Sequence, residues 1–315
     1  MTTLKTLFPS LSDMMRYASG IDASNSIEDL TASSLYALKR VNTVVPADIV
    51  TLITAIPDTP IAHALCQAVA NATMAQHITF QSIALRKSGT DIFKYELESM
   101  RRGYNEAYFA GMDTLLSILM STPADDDPAL QLITLWQTSR FATMLASCRI
   151  KSCEQMDAIY PIDLSYLFFF RTLPLQRESL NERLNTYYAK LPQTTPTSAA
   201  GEKATVPGSF AAGQTTPLQQ TLDLALVKST IAKALRRFDP IEFPATMRNL
   251  LDDSTASRSA AAEREAAIAL AQQMESEVAI LLENIDMLTA PTSPYTTYTT
   301  YSAYNSPDDK IIMCP

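Results

Sequence analysis

The fold of this 315-residue chain is decided by residues 89–121, which read GTDIFKYELESMRRGYNEAYFAGMDTLLSILMS. Apolar and small residues recur here at steps of three and four, the spacing that forms one face of an amphipathic α-helix. The predicted buried seam consists of Phe93, Leu97, Met100, Tyr104, Ala107, Gly111, Leu115 and Ile118. Roughly 30 residues at about 1.5 Å each make a rod of about 45 Å, long enough to be the spine of a helical bundle.

A second long helix is predicted over residues 257–289. Its seam alternates steps of four and three, as in a coiled coil, and consists of Ala267, Ala271, Met274, Val278, Leu281, Ile285 and Leu288. Pro291 and Pro294 end it. The apolar run 164–170 is predicted to be helical, with a strand as the alternative, because periodicity does not assign it. We therefore predict an all-α fold.

Each of the two long helices stands at the end of one of two similar halves of the chain. Seven residues match seven others 157 positions later: Leu65, Ala68, Val69, Thr73, Met74, Ala75 and Ile78 match Leu222, Ala225, Leu226, Thr230, Ile231, Ala232 and Leu235. The alternative is that amphipathic helices simply look alike. Because order and spacing agree as well as residue type, we predict an internal duplication, with two tandem helical bundle units.

The predicted organisation has four parts. Residues 1–124 form the first helical unit, and residues 125–158 form a connecting helix that carries Trp136. Residues 159–290 form the second unit, which includes a proline-rich loop at 192–217. Residues 291–315 form an extended C-terminal arm, because proline ends the helix and the composition is biased towards Tyr and Thr.

Composition excludes several classes of protein. The net charge is −8 and only seven glycines are present, which disfavours a generally basic nucleic-acid-binding surface and glycine-rich phosphate loops. No apolar run of 18 residues occurs, so we expect no membrane span. The four cysteines form no CxxC pair, and we expect reduced thiols in a cytosolic product.

Motifs that carry chemistry are missing from the sequence. There is no HExxH, GxSxG, Walker loop or GxGxxG. His63 and His77 are the only histidines, and they lie fourteen positions apart without a nearby set of Cys, Asp and Glu at ligand spacing. The run Asp125-Asp126-Asp127 favours a helix-capping turn over a cation site. We therefore expect no catalytic residues, no cofactor, no metal and no enzymatic activity.

The strongest candidates for a binding role are interface residues. Four tyrosines recur every three residues near the C-terminus, and an apolar pair follows: Tyr295, Tyr298, Tyr301, Tyr304, Ile311 and Ile312. Tyrosine suits interfaces because its ring is apolar and its hydroxyl is polar. A disordered end is the alternative. Glu98, Arg101 and Arg102 lie at helical pair spacing, and we consider both a surface ion pair and an interface role.

The chain resembles a family of uncharacterised proteins encoded in prophages of Bacteroides-like bacteria. The resembling residues are LKTLF at 4–8, FKYELESMRRGYNEAYFAGMDTLLSIL at 93–119, WQTS at 136–139 and SPDDKIIM at 306–313. Each half also resembles the small α-helical head–tail connector (adaptor) proteins of tailed phages, which form a ring under the portal. This chain is about twice as long as those connectors.

The resemblance implies a structural protein of the virion neck, present in the host cytoplasm during assembly. The implied partners are other copies of this chain in a ring, with a dodecamer as one candidate, a portal protein, a tail or stopper protein, and DNA that passes without sequence recognition. The alternatives are a cytosolic α-helical adaptor that binds a partner protein in a bundle groove, and an enzyme whose site is assembled from scattered carboxylates.

Overall fold

A computed structural model describes residues 2–21, 26–87, 94–121, 129–191, 216–251 and 260–289 of the chain. Within these ranges every regular element is a helix and no strand occurs, so the fold is all-α as predicted. The α-helices are α1 (Leu4–Leu7), α2 (Leu11–Met15), α3 (Thr31–Asn42), α4 (Ala47–Ile53), α5 (Pro60–Lys87), α6 (Lys94–Met120), α7 (Leu130–Gln137), α8 (Arg140–Ala146), α9 (Cys153–Ile159), α10 (Tyr166–Ser179), α11 (Asn185–Ala189), α12 (Pro217–Arg237), α13 (Ala245–Leu251) and α14 (Ala260–Thr289). A π-helical turn, Leu180–Leu184, joins α10 to α11, and a 3₁₀ turn, Pro240–Glu242, precedes α13.

The hairpin of α5 and α6 is the most extensive helix pair in the described residues. Its close approach depends on Gly111, where a Cβ atom would lie 2.8 Å from the backbone nitrogen of Ala68 and 3.2 Å from the backbone oxygen of Ala64. Small residues at this crossing let the two backbones come together. On its other sides α6 contacts α7 and α10, so the predicted spine does touch several other elements.

The predicted seam of α6 is correct only in its C-terminal half. Gly111 and Leu115 are buried, but Leu97 is half-buried and Met100 is 43% exposed. The residues that fill the core from α6 are Tyr108, Met112, Leu115, Leu116 and Leu119. The start of α10 meets α6 at Asp113, well past the first turns of the helix, whereas Met100 lies in those first turns and stays exposed.

The second long hairpin pairs α12 with α14, and α10 packs against α12. The predicted seam of α14 is buried at Ala267, Ala271, Met274 and Ile285. It ends before Leu288, which is 78% exposed. Charged pairs run beside this seam, including Arg236–Glu275 at 2.7 Å and Lys228–Glu277 at 2.5 Å.

The seven matched pairs of α5 and α12 are all buried in both helices. Thr73 donates its hydroxyl hydrogen to Val69 O at 2.7 Å, and Thr230 donates to Leu226 O at 2.8 Å, so one pair also shares its hydrogen bond. The helices that precede α5 and α12 differ between the two halves. Those before α5 are the separate helices α1 to α4, whereas α10, the π turn and α11 before α12 follow one another without a break. One hydrophobic cluster extends from Leu4 to Ile285 through both halves. The duplication therefore stays a prediction.

The middle of the chain corrects one prediction and confirms another. The connector is not one helix, because α7, α8 and α9 are separate within its described part. The helix predicted for 164–170 is confirmed over the strand alternative, since α10 begins at Tyr166. Left-handed backbone at Asp163 (φ 55°) and Leu164 (φ 49°) turns the chain into that helix. Asp157 stabilises the turn, as its Oδ1 accepts from Ile162 N at 2.8 Å and Leu164 N at 3.1 Å.

None of the helices in the described ranges combines the length and the apolar character needed to cross a lipid bilayer.

Candidate interaction surfaces

The sequence-predicted interface residues fall into two groups. Glu98, Arg101 and Arg102 lie on the exposed start of α6, where Arg102 donates to Glu263 Oε1 of α14 at 3.1 Å. The contact links the two long helices of the two halves. Tyr295, Tyr298, Tyr301, Tyr304, Ile311 and Ile312 lie outside the described residues.

Three apolar side chains with exposed surface lie near the C-terminal end of α5 and the start of α6, and we call them the tip patch. They are Phe80, which is 52% exposed, the half-buried Leu97, and Met100. The antiparallel register set where Gly111 meets Ala68 places Phe80 at about the level of Leu97 along the hairpin. Exposed large apolar side chains on both helices make this end of the hairpin a candidate for binding another protein.

A second exposed apolar patch, which we call the C-terminal patch, lies on the last turns of α14. It consists of Ile280, Met287 and Leu288, of which Met287 is 65% exposed. Counted from Glu263, which pairs with the start of α6, Met287 is about 36 Å further along the helix. The two patches therefore occupy different places on the molecule.

A charged groove separates α6 from the second half of the chain. It runs through two adjoining cavities of about 280 and 210 Å³ that share Glu106, Ala245 and Arg248. One ion pair crosses it, as Arg248 to Glu106 at 2.7 Å joins α13 to α6, and a second lines it, as Arg171 to Glu242 at 2.5 Å joins α10 to the 3₁₀ turn. The Nε–H of Arg248 is buried and has no partner among the described residues. Each positive group in this groove has a carboxylate beside it, so the groove is a joint between elements.

Two carboxylates beside this groove hold the starts of neighbouring helices. Asp113 Oδ1 on α6 accepts from Leu167 N at 2.8 Å and from the Ser165 hydroxyl at 3.1 Å, at the first turn of α10. Asp163 Oδ2 accepts from Thr246 N at 2.7 Å, at the first turn of α13. Each carboxylate supplies a cap from outside the helix that it stabilises.

Burial raises the pKa of Asp113 to about 6, although its hydrogen bonds with Leu167 and Ser165 oppose that rise. Burial first, and then the nearby carboxylates Glu154, Asp113 and Asp157, raise the pKa of the Cys153 thiol. The thiol is therefore neutral at physiological pH, and the Asp113 carboxylate is the group here that titrates near neutrality.

The histidines lie in separate places. The exposed His63 has its Nδ1 2.6 Å from the Tyr17 hydroxyl, and His77 is half-buried. Burial lowers the pKa of His77, and the charge of Asp29 opposes that change. Across the described ranges, no three His, Cys, Asp or Glu side chains gather as metal ligands, and residues 125–127 lie outside those ranges.

Sequence reasoning missed Asp113, Asp163 and Arg248 as linking residues. Asp113 carried a signal, because it is a single carboxylate between the apolar positions Met112 and Leu115 in the C-terminal half of the spine. Its partner could not be read from the sequence, since the contact with Leu167 spans 54 positions. Arg248 carried no such signal.

Comparison of the chain with protein-family models, with curated proteins and with solved structures finds no match.

Proposed function

We propose that this chain is a structural protein of a tailed-phage virion, a head–tail connector subunit that forms a ring beneath the portal. The observation that carries the proposal is the pair of exposed apolar patches at different places on one molecule. A ring is built by heterologous contacts, in which one surface of a subunit binds a different surface of the next. The tip patch and the C-terminal patch supply two such surfaces.

The joint between the two halves supports this proposal. Two ion pairs tie α6 to α14 and to α13, a third ties α10 to the 3₁₀ turn within the second half, and one hydrophobic cluster extends through both halves. A subunit that passes load between a capsid and a tail benefits from such a stiff body. The net charge of −8 suits a ring through which DNA slides without being held.

The test is the oligomeric state of the purified chain and of two double variants. We expect the wild-type protein to form closed rings in negative-stain images and one large species in sedimentation velocity. Phe80→Glu with Met100→Glu removes the tip patch, and Met287→Glu with Leu288→Glu removes the C-terminal patch. Each should abolish rings, because a charge at an apolar interface must be desolvated.

Mixing the two double variants gives the sharper result. If the patches bind each other, each variant retains one intact surface, so the mixture should form heterodimers and no rings. Leu35→Glu is the matched control, because Leu35 is an exposed leucine on α3, outside both patches. A wild-type protein that stays monomeric at high concentration would remove the ring proposal.

A second candidate function is a cytosolic adaptor that binds a partner protein in a groove of the bundle. The observation that favours it is a cavity between α2, α4 and the start of α5, lined largely by apolar and aromatic side chains. A stable monomer that binds one host protein at this cavity would support this candidate over the ring.

A further inference from the structure

The cavity between α2, α4 and the start of α5, which we call the N-terminal pocket, has no role in the ring contacts described above. Its walls are mostly apolar and aromatic, with Leu7, Phe8, Pro9, Ile53 and Pro57 among them. It measures about 250 Å³. Sites for drug-sized molecules measure roughly 300–1,000 Å³, so this pocket fits one or two protein side chains better than a whole ligand.

The walls of the pocket are fixed by the fold. Phe8 is fully buried and its ring lies 5.9 Å from that of Tyr17. Tyr17 is held at both ends, because its hydroxyl lies 2.6 Å from His63 Nδ1 and its backbone oxygen accepts from Asn71 Nδ2 at 2.9 Å. A pocket with fixed walls loses little conformational entropy when a side chain enters it.

The polar groups of the pocket select the kind of side chain that it accepts. The carboxylates of Asp13 and Asp58 line the pocket, and Arg16 is the one Lys or Arg among the lining residues. These carboxylates disfavour an anionic ligand, and their oxygens can accept a hydrogen bond from a donor group on the ligand. An aromatic ring with a hydroxyl donor at its end, which is a tyrosine, meets both the apolar wall and these acceptors.

The chain itself carries tyrosines beyond the described residues. α14 ends at Thr289, and 26 residues follow it, with Tyr295, Tyr298, Tyr301 and Tyr304 among them. Tyr304 is 15 residues beyond Thr289, and 15 fully extended residues reach at most about 54 Å, enough to cross onto an adjoining molecule. Tethering by the ring would give these tyrosines a high effective concentration at the neighbour.

We propose that the N-terminal pocket binds a tyrosine of the 295–304 segment from a second copy of this chain. This inference rests on the proposed ring, which supplies the neighbouring copy. It adds a third contact, in which the end of one subunit is anchored in the first half of the next.

The experiment is photo-crosslinking in the full-length protein. Tyr298 is replaced by p-benzoylphenylalanine, and isotopically heavy and light chains are mixed before irradiation. We expect cross-links from position 298 to peptides of α2, α4 or the start of α5, with heavy–light pairs present. Cross-links confined to one copy, cross-links that map elsewhere, or their absence would each overturn the proposal.

Two pocket variants and one control test the same contact. Thr54→Trp fills the pocket from its half-buried wall, and Asp58→Lys replaces an exposed acceptor at its rim. Each should lower the yield of the heavy–light cross-link at least fivefold. Thr134→Trp, at an exposed position on α7, should leave it unchanged, and an unchanged yield in both pocket variants would sink the proposal. Rings that form without this cross-link would leave the proposed function intact and remove only the tyrosine anchor.

Discussion

At the scale of single residues, the side chains that link helices distant in sequence were the hardest to predict. Asp113 caps α10, which begins 53 positions later in the sequence. Asp163 caps α13, and α10 and α12 lie between the two in the sequence. A cap supplied by the preceding residue can be read from the sequence, as at Ser10 before α2. A cap supplied through space cannot, because it exists only once the helices are packed.

Asp113 yields a prediction about pH. Its pKa is raised by burial from 3.8 to about 6, so ionisation costs the folded protein more than the unfolded chain. Its contribution to stability is therefore fully present below about pH 4 and is lost as the pH rises through 6. Asp113→Asn keeps an oxygen acceptor for Leu167 N and removes the titration.

The measurement is chemical unfolding of the wild type and Asp113→Asn between pH 4 and pH 7. The free energy of unfolding of the wild type should fall relative to that of the variant by on the order of 3 kcal/mol over this range, since one pKa unit corresponds to about 1.4 kcal/mol. Other carboxylates titrate in both proteins and cancel in the difference. Parallel curves would show that Asp113 does not titrate as stated.

At the scale of elements, helix boundaries could be predicted and helix faces only in part. The start of α5 at Pro60 can be read from the pair Thr59-Pro60, because proline suits the first turn of a helix. The buried face predicted for α6 is wrong in its first turns, because the apolar pattern continues there although Met100 is exposed. The π turn Leu180–Leu184 and the tolerance of Pro174 inside α10 left no trace in the periodicity.

Gly111 yields a prediction about helix packing. In Gly111→Ala the new methyl group would lie 2.8 Å from the backbone nitrogen of Ala68, and a backbone atom cannot move aside like the end of a side chain. Overpacking of this kind costs about 1–3 kcal/mol, against a helix-propensity gain of about 1 kcal/mol. We expect a net loss of thermal stability.

Gly103→Ala is the matched control on the same helix. A methyl group at Gly103 would meet no atom within 4 Å from the described residues outside its own stretch of helix, so only the propensity gain of about 1 kcal/mol remains. Thermal unfolding should therefore move in opposite directions for the two variants. Equal stabilisation by both would mean that α5 and α6 do not approach as closely at Gly111 as described.

At the scale of the whole molecule, the all-α class followed from the sequence, and the division into two units stays a prediction. The matched positions of α5 and α12 share burial and a threonine hydrogen bond, as a duplication requires. The hydrophobic cluster nevertheless crosses between the halves, and the ring centroids of Trp136, Phe141 and Phe170 lie within 6 Å of one another. Trp136 and Phe141 come from the predicted connector and Phe170 from the second unit, so the connector is itself core.

This continuity predicts that the chain unfolds in one cooperative step. Two independent units would melt separately, whereas a shared core and the ion pairs Arg102–Glu263 and Arg248–Glu106 make the unfolding of one half costly to the other. Circular dichroism at far-ultraviolet wavelengths should report all helices, and fluorescence should report Trp136, the single tryptophan. The two signals should give coincident melting curves, and calorimetry should show one peak.

Phe170→Ala opens a cavity in the aromatic cluster and should lower the free energy of unfolding by about 3–5 kcal/mol. Both melting curves should therefore move to lower temperature together. A variant that lowers the tryptophan transition and leaves part of the helical signal at its original temperature would show that the halves fold independently.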